Sequence, residues 1–179
     1  DVNHELWRRQ QGFGRGGRMK IETDQVEIVT GVRHSQTIGA PVAMIVRNHD
    51  WKNWTGVLPV EAYEGCDEQK KPLTRPRPGH ADLAGTIKYD FREARYILER
   101  ASARETTARV ALGALAKQFL RQFGIEVLSH VVQAGTARLE RTVEWDEIVA
   151  LSRREDVLLG CVDAAAEERM KAVVDEAYR

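Results

Sequence analysis

The stretch Thr74-Arg75-Pro76-Arg77-Pro78-Gly79-His80-Ala81-Asp82-Leu83 constrains this chain more than any other. Proline fixes its own φ at about −65° and pushes the residue before it out of the α region, so Arg75 and Arg77 must run extended. A segment stiffened in this way aims two guanidinium groups at an anion with little entropic cost. Gly79 then frees the backbone to turn, and His80 brings a side chain that gives or takes a proton near neutral pH. Asp82 follows closely enough to orient that imidazole once the backbone turns. The same residues also read as a surface loop with solvated arginines, and two further arginine-rich segments shift the balance towards an anion site.

The first of these is Gly12-Phe13-Gly14-Arg15-Gly16-Gly17-Arg18, which follows a short helix expected over 1–9 with Leu6 and Trp7 facing inward. Its glycines let backbone amides approach a ligand while Arg9, Arg15 and Arg18 supply charge. Gly12, Gly14 and Gly17 match G-x-G-x-x-G, but a dinucleotide site needs a strand before the glycines and a helix after them, and here the order is reversed. An arginine loop over an anionic small molecule fits better. A plain hairpin connector and an RNA-binding arginine/glycine module stay open as alternatives. The second segment is Glu99-Arg100-Ala101-Ser102-Ala103-Arg104-Glu105-Thr106. Ser102 and Glu105 have capping-box spacing, which predicts a helix start. Apolar positions Ala108, Leu112, Leu115, Phe119 and Phe123 continue the period, and Gly124 stops it. Free N–H groups and the helix dipole make such a start a natural phosphate site, flanked here by Arg100 and Arg104, although a plain capped core helix has the same pattern.

Between and beyond these segments, Met19–Glu22, Val26–Thr30 and Pro41–Arg47 read as strands, with a solvated turn at Gly31-Val32-Arg33-His34-Ser35. Trp51 and Trp54 are expected to pack on a surface edge, and 61–71 is polar and loop-like. Ile125–Val132 reads as a strand, and 143–151 and 163–179 as helices. With 42% apolar and 30% charged residues, the 179-residue chain suits one domain around one core. Its 27 basic and 27 acidic residues cancel, which argues against a dedicated nucleic-acid binder. Cys66 and Cys161 stand alone, as free thiols in a reducing cytosol would. No apolar run suits a membrane span, and the five histidines lack metal-site spacing. The sequence opens without Met and closes inside a helical pattern, so it is expected to be an internal piece of something longer.

Arg9-Gln10-Gln11-Gly12-Phe13-Gly14-Arg15-Gly16, Thr74 to Leu83 and Arg100 to Thr106 closely resemble the three arginine motifs of the chorismate synthase family, with Gly31-Val32-Arg33-His34 and Gly39-Ala40-Pro41 in the expected order between them. The resemblance runs from Asp1 to Arg179. It implies an α+β fold, the β-α-β sandwich of that family with helices between antiparallel sheets, of which 1–179 would be a single partial domain. The implied reaction is the anti-1,4-elimination of phosphate from 5-enolpyruvylshikimate 3-phosphate, giving chorismate in aromatic amino acid biosynthesis. Reduced FMN is the implied cofactor, with NADPH as its reductant in some members, in a cytoplasmic homotetramer. Carried over by position, His80 matches a catalytic histidine thought to protonate the reduced flavin. Arg77 and Arg104 match arginines around the substrate's anionic groups. Arg100, Ala101 and Ser102 match a flavin-contacting segment, and Arg9 and Arg15 match arginines of the substrate or NADPH region.

Phe13 stands where the family usually has Tyr, Ser35 where Gly follows the Arg-His pair, and Ala40 where Ser is common. None of these removes a charge. The family's N-terminal Gly-Glu-Ser-His-Gly segment, with a second catalytic histidine, and its later flavin-binding half, with a catalytic aspartate, fall outside 1–179. The resemblance therefore also implies that this piece alone is an inactive fragment.

Overall fold

The run Val26-Glu27-Ile28-Val29-Thr30 is rich in β-branched residues, and it forms strand β1 (Val26–Thr30) in the computed structural model, which describes residues 2–14, 23–65 and 72–179. Strand β1 pairs antiparallel with β4 (Ala43–Val46), with a bulge between Ile28 and Thr30. The Thr30 hydroxyl spans the irregularity: it donates to the Pro41 carbonyl at 2.8 Å and accepts from the Ala43 amide at 3.2 Å. Between the two strands lies a small hairpin of β2 (Val32–Arg33) and β3 (Gln36–Thr37). Its connecting pair, His34 and Ser35, has φ of 50° and 63°, the left-handed pair that a twisted two-residue turn demands. Gly31 must remain glycine for a harder reason. At φ +83°, a Cβ there would lie 2.5 Å from the Pro41 carbonyl oxygen.

By contact density the chain divides into two units, Val2 with Asp24–Gly113, and Asn3–Thr23 with Ala114–Arg179. The first holds β1 to β4, a 3-10 turn at Trp51–Asn53, and the helices α2 (Asp82–Tyr89) and α3 (Arg95–Leu98). Gly85 lets α2 and α3 meet closely, because a Cβ there would lie 2.6 Å from Ile97 Cγ2, and Ile97 is buried. In the second unit, α1 (Val2–Gln10) buries Leu6 and extends Glu5 to Lys117 at 2.9 Å.

The remaining elements of that unit surround Leu139, Cys161, Ala166 and Met170. They are the hairpin β5 (Gln133–Ala134) and β6 (Ala137–Arg138), α5 (Trp145–Ser152) and α6 (Ala164–Ala177). Asp163 caps α6 by accepting from the Ala166 amide at 2.8 Å. One turn on, the buried Glu167 accepts from the amides of Leu159, Gly160 and Cys161 at 3.0, 3.0 and 3.3 Å, so a single carboxylate oxygen organises the loop before the helix. Arg141 joins α5 to the start of α6, reaching Glu147 at 2.6 Å and Asp163 at 3.5 Å.

The chain is thus α+β, with helices and small antiparallel sheets. Three expectations need correction, and Met19–Glu22, Arg15, Arg18 and Cys66 lie outside the described residues. Ile125–Val132 is apolar but forms no strand. Its amides and carbonyls find isolated partners, Val131 N to Gly160 O and Leu139 N to Val132 O, and a strand needs a continuous ladder. Helix α4 (Ala103–Arg121) has its expected length, and Gly124 at φ +68° closes it with the Ile125 amide bonded back to Leu120. Its buried face, however, is Ala111 and Ala114, while Leu112, Phe119 and Phe123 are 60 to 65% exposed. The helix carries apolar residues on two adjoining faces, and periodicity alone does not say which one is covered. Finally, Ser102 sits at φ +55° instead of in the extended conformation of a capping residue.

Gly85→Ala is expected to overpack the contact between α2 and α3 and to destabilise the chain by about 1–3 kcal/mol, read as a lower urea midpoint at unchanged slope. Gly113→Ala serves as the control, since a Cβ at Gly113 would meet nothing within 4 Å.

Candidate active site

Extended backbone through Arg75 and Arg77, imposed by Pro76 and Pro78, ends in a reversal at Pro78-Gly79. The His80 amide bonds the Arg77 carbonyl at 3.3 Å and Gly79 takes φ +69°, the pairing of Pro and Gly that a type II turn uses. This turn delivers Asp82 to the first turn of α2, where the helix dipole suits a negative charge. Upstream, the Leu73 carbonyl accepts from the Ala94 amide at 2.9 Å and fixes the segment next to α3.

The Asp82 side chain is fully buried, and its oxygens are matched from one direction. Oδ2 accepts from Arg77 Nε at 2.8 Å and from the Arg77 amide at 3.0 Å, and Oδ1 accepts from Arg77 Nη2 at 2.8 Å. The His80 ring approaches the same pair, with Nδ1 3.0 Å from Arg77 Nη2 and 3.2 Å from Asp82 Oδ1. The hydrogen bonds from Arg77 hold the Asp82 carboxyl well below the usual carboxylate range, against the opposing pull of burial. The same bonds raise the guanidinium's own pKa. Of the residues expected at the site, the structure brings Arg77 and His80 together, and the expected orienting role of Asp82 is met with an addition. Sequence reading assigned Asp82 to the imidazole alone, whereas its main partner is the arginine five residues back.

A second group forms around Glu99. Its Oε2 accepts from Arg104 Nε at 2.9 Å, and Arg95 Nη1 lies 3.8 Å from its Oε1. The Arg95 guanidinium also lies over the Trp54 ring at 5.2 Å, and Trp54 Nε1 donates to Asp50 at 2.7 Å, which gives Trp54 a packing role. Arg100 lies over Tyr89 with 4.8 Å to the ring centroid, followed by Ala101, whose amide bonds Leu98 O, and by Ser102. Glu99 and Tyr89 were not anticipated as partners. Glu99 and Arg104 are five apart, like Arg77 and Asp82, and the pairing was legible only as unlike charges on either side of a turn. Arg9 lies near the end of α1 in the other unit, and Arg15 is outside the described residues.

A buried carboxylate that holds an arginine and a histidine, and two more arginines held by a carboxylate and an aromatic ring, define a class of site built from basic side chains oriented in advance. The family model of chorismate synthase matches residues 1–179, and the chain belongs to that family. It is 73% identical over 179 residues to the chorismate synthase of Solibacter usitatus (strain Ellin6076) and 51% identical to that of Bacillus subtilis (strain 168), in each case over 99% of this chain and 46% of the relative. A solved structure, titled "Crystal Structure of Chorismate Synthase", superposes with a TM-score of 0.69 at 35% identity, covering 99% of this chain and 44% of that one. The chain therefore spans about half the length of the relatives it matches.

Because the Asp82 pKa is lower in the folded chain than its unfolded value of about 3.9, the stability it contributes is fully present above that value and is lost as pH falls through the folded one. Asp82→Asn removes this contribution. The gap in urea midpoint between wild type and variant is expected to be widest near neutral pH and to narrow below about pH 4. A gap that stays constant down to about pH 2 would contradict the ion pair as its source.

Proposed function

We propose that this chain forms part of an enzyme that removes phosphate and a ring proton from 5-enolpyruvylshikimate 3-phosphate by anti-1,4-elimination, giving chorismate for aromatic amino acid biosynthesis. The observation that carries the reading is the buried Asp82 carboxylate holding Arg77 and His80 on one turn, in a chain whose match to the family is continuous. The substrate has a phosphate and two carboxylates. Arginine answers such groups with a planar fork of donors, and it retains its charge at any working pH.

Arg77 and Arg104 are the residues that would hold the anionic groups, with Arg9 and Arg15 serving the substrate or the NADPH region. Both Arg77 and Arg104 are already oriented, one by Asp82 and the other by Glu99, so little rotational freedom is lost when an anion arrives. Expelling phosphate builds negative charge on the leaving group, and donors fixed beforehand stabilise it without reorganising. His80 would hold or move a proton through its second ring nitrogen, since Nδ1 is occupied by Arg77 and Asp82.

The residues near Arg100 suit a reduced flavin mononucleotide. The guanidinium is spread on Tyr89 and remains exposed, Ala101 and Ser102 follow it, and the start of α4 favours a phosphate. When bound, the reduced flavin supplies the electron-rich partner that loss of phosphate from the ring calls for. Assembly as a homotetramer in the cytoplasm belongs to the same proposal. The RNA-binding alternative has less support, because Arg8, Arg77, Arg104 and Arg109 each pair with a carboxylate and do not form an open basic stripe.

Anaerobic assays with reduced FMN test the proposal. In the complete enzyme, His80→Ala is expected to lower kcat by about 10²- to 10⁴-fold and Arg104→Ala chiefly to raise KM, while the 179-residue chain alone is expected to produce no chorismate. Normal turnover by that chain, or a His80→Ala rate unchanged between about pH 6 and 9, would count against it.

A further inference from the structure

The Arg77 guanidinium has two usable edges. Its Nε–Nη2 edge is committed to Asp82, at 2.8 Å on each oxygen. The Nη1–Nη2 edge is the other fork with which an arginine grips a carboxylate or phosphate. Nη2 has two hydrogens. One is on Asp82 Oδ1, and His80 Nδ1 lies 3.0 Å from the same nitrogen.

This contact bears on the tautomer of the imidazole. A guanidinium only donates, so a nitrogen that meets it must present a lone pair. A neutral His80 in this contact therefore has a bare Nδ1 and carries its proton on Nε2. Yet Asp82 Oδ1 stands 3.2 Å from the same Nδ1, and a carboxylate oxygen only accepts. Asp82 favours the opposite tautomer, with the proton on Nδ1. The two neighbours thus ask for different things, and Arg77 prevails only while its second Nη2 hydrogen points at the ring.

We propose that an anion on the outer edge of Arg77 switches the tautomer of His80, with Asp82 as the positioning residue that receives the displaced proton site. The anion takes both Nη1 and the second Nη2 hydrogen, and the contact with Nδ1 is lost. One proton leaves Nε2 for solvent and another arrives at Nδ1, which donates to Asp82 Oδ1, so the ring stays neutral. Nε2 then offers a lone pair where it had offered a proton. Arrival of the anion converts the exposed side of His80 from a donor into an acceptor. The inference rests on the reading of Arg77 as an anion-holding residue. Its test is independent of chorismate formation, so the two can fail separately.

The test uses the complete enzyme with ¹⁵N-labelled histidine, at a pH about two units above the ordinary imidazole pKa of about 6.5. Long-range ¹H–¹⁵N spectra report which ring nitrogen bears the proton, and His80→Gln identifies the signal. Without added anion, Nε2 is expected to be protonated and Nδ1 bare. Saturating inorganic phosphate is expected to reverse the two. Arg77→Met, which keeps the stem and loses the donors, should show the reversed tautomer without phosphate. Asp82→Ala, which removes the accepting oxygens, should keep Nδ1 bare with and without phosphate. A His80 spectrum that phosphate leaves unchanged in wild type overturns the proposal, as does the same reversal in Asp82→Ala. If the reversal occurs and the complete enzyme nevertheless makes no chorismate, the switch stands and the reading of the reaction falls.

Discussion

A carboxylate removed from water must be met by donors, and at Asp82 all the close ones come from Arg77. That single match fixes more than a side chain. The Arg77 amide is one of the donors, so the backbone entering the Pro78-Gly79 turn is held as firmly as the guanidinium. The turn then sets where α2 begins, and α2 brings Gly85 against Ile97 of α3. Loss of the carboxylate would therefore loosen the direction of the arginine, the seat of the histidine and the entry into the helix pair together. Removing Arg77 instead would cost more than the pair contributes, because the surviving Asp82 carboxylate stays buried without its main partner.

Pairing Arg77, Arg100 and Arg104 with a carboxylate or an aromatic ring looks at first like a waste of positive charge in a site for a polyanion. The pairing instead exchanges some attraction for direction. A free arginine on a flexible stem must lose rotamer freedom when it binds, whereas Arg77 and Arg104 have lost it already to Asp82 and Glu99. Neutral overall charge follows from the same arrangement: the acidic residues that cancel the arginines in the composition include those that aim them. A net charge of zero thus gives no sign of how concentrated the local fields are.

What could be read from the sequence divides along contact range. The extended arginines, the turn at Gly79, the nearness of His80 and the Gly124 stop all depend on residues a few positions apart, where proline and glycine leave few choices. The errors lie where the partner is distant. Ile125–Val132 has the composition of a strand and lacks a ladder, and the apolar stripe of α4 was assigned to a core that covers Ala111 and Ala114 instead. Ser102 fails for another reason. Its spacing to Glu105 is that of a capping box, but the chain enters α4 through a left-handed residue, and spacing carries no information on φ. His34 and Ser35 teach the same point, since neither is the Asn or Gly that advertises a left-handed turn.

The same division separates the candidate site, whose pairs are local in sequence, from the architecture around it. Arg77 with Asp82, and Glu99 with Arg104, are each five residues apart across a bend, so each pair forms from one short segment once the local backbone is set. Short loops close at small entropic cost, and a charged hydrogen bond in partial burial easily exceeds it. Side chains such as Leu112, Phe119 and Ile28 follow the opposite rule, for their stabilisation is proportional to apolar area removed from water and here much of that area remains exposed. The polar chemistry of this chain is therefore fixed by its nearest neighbours in sequence, and its apolar faces are fixed only by whatever distant surface comes to cover them.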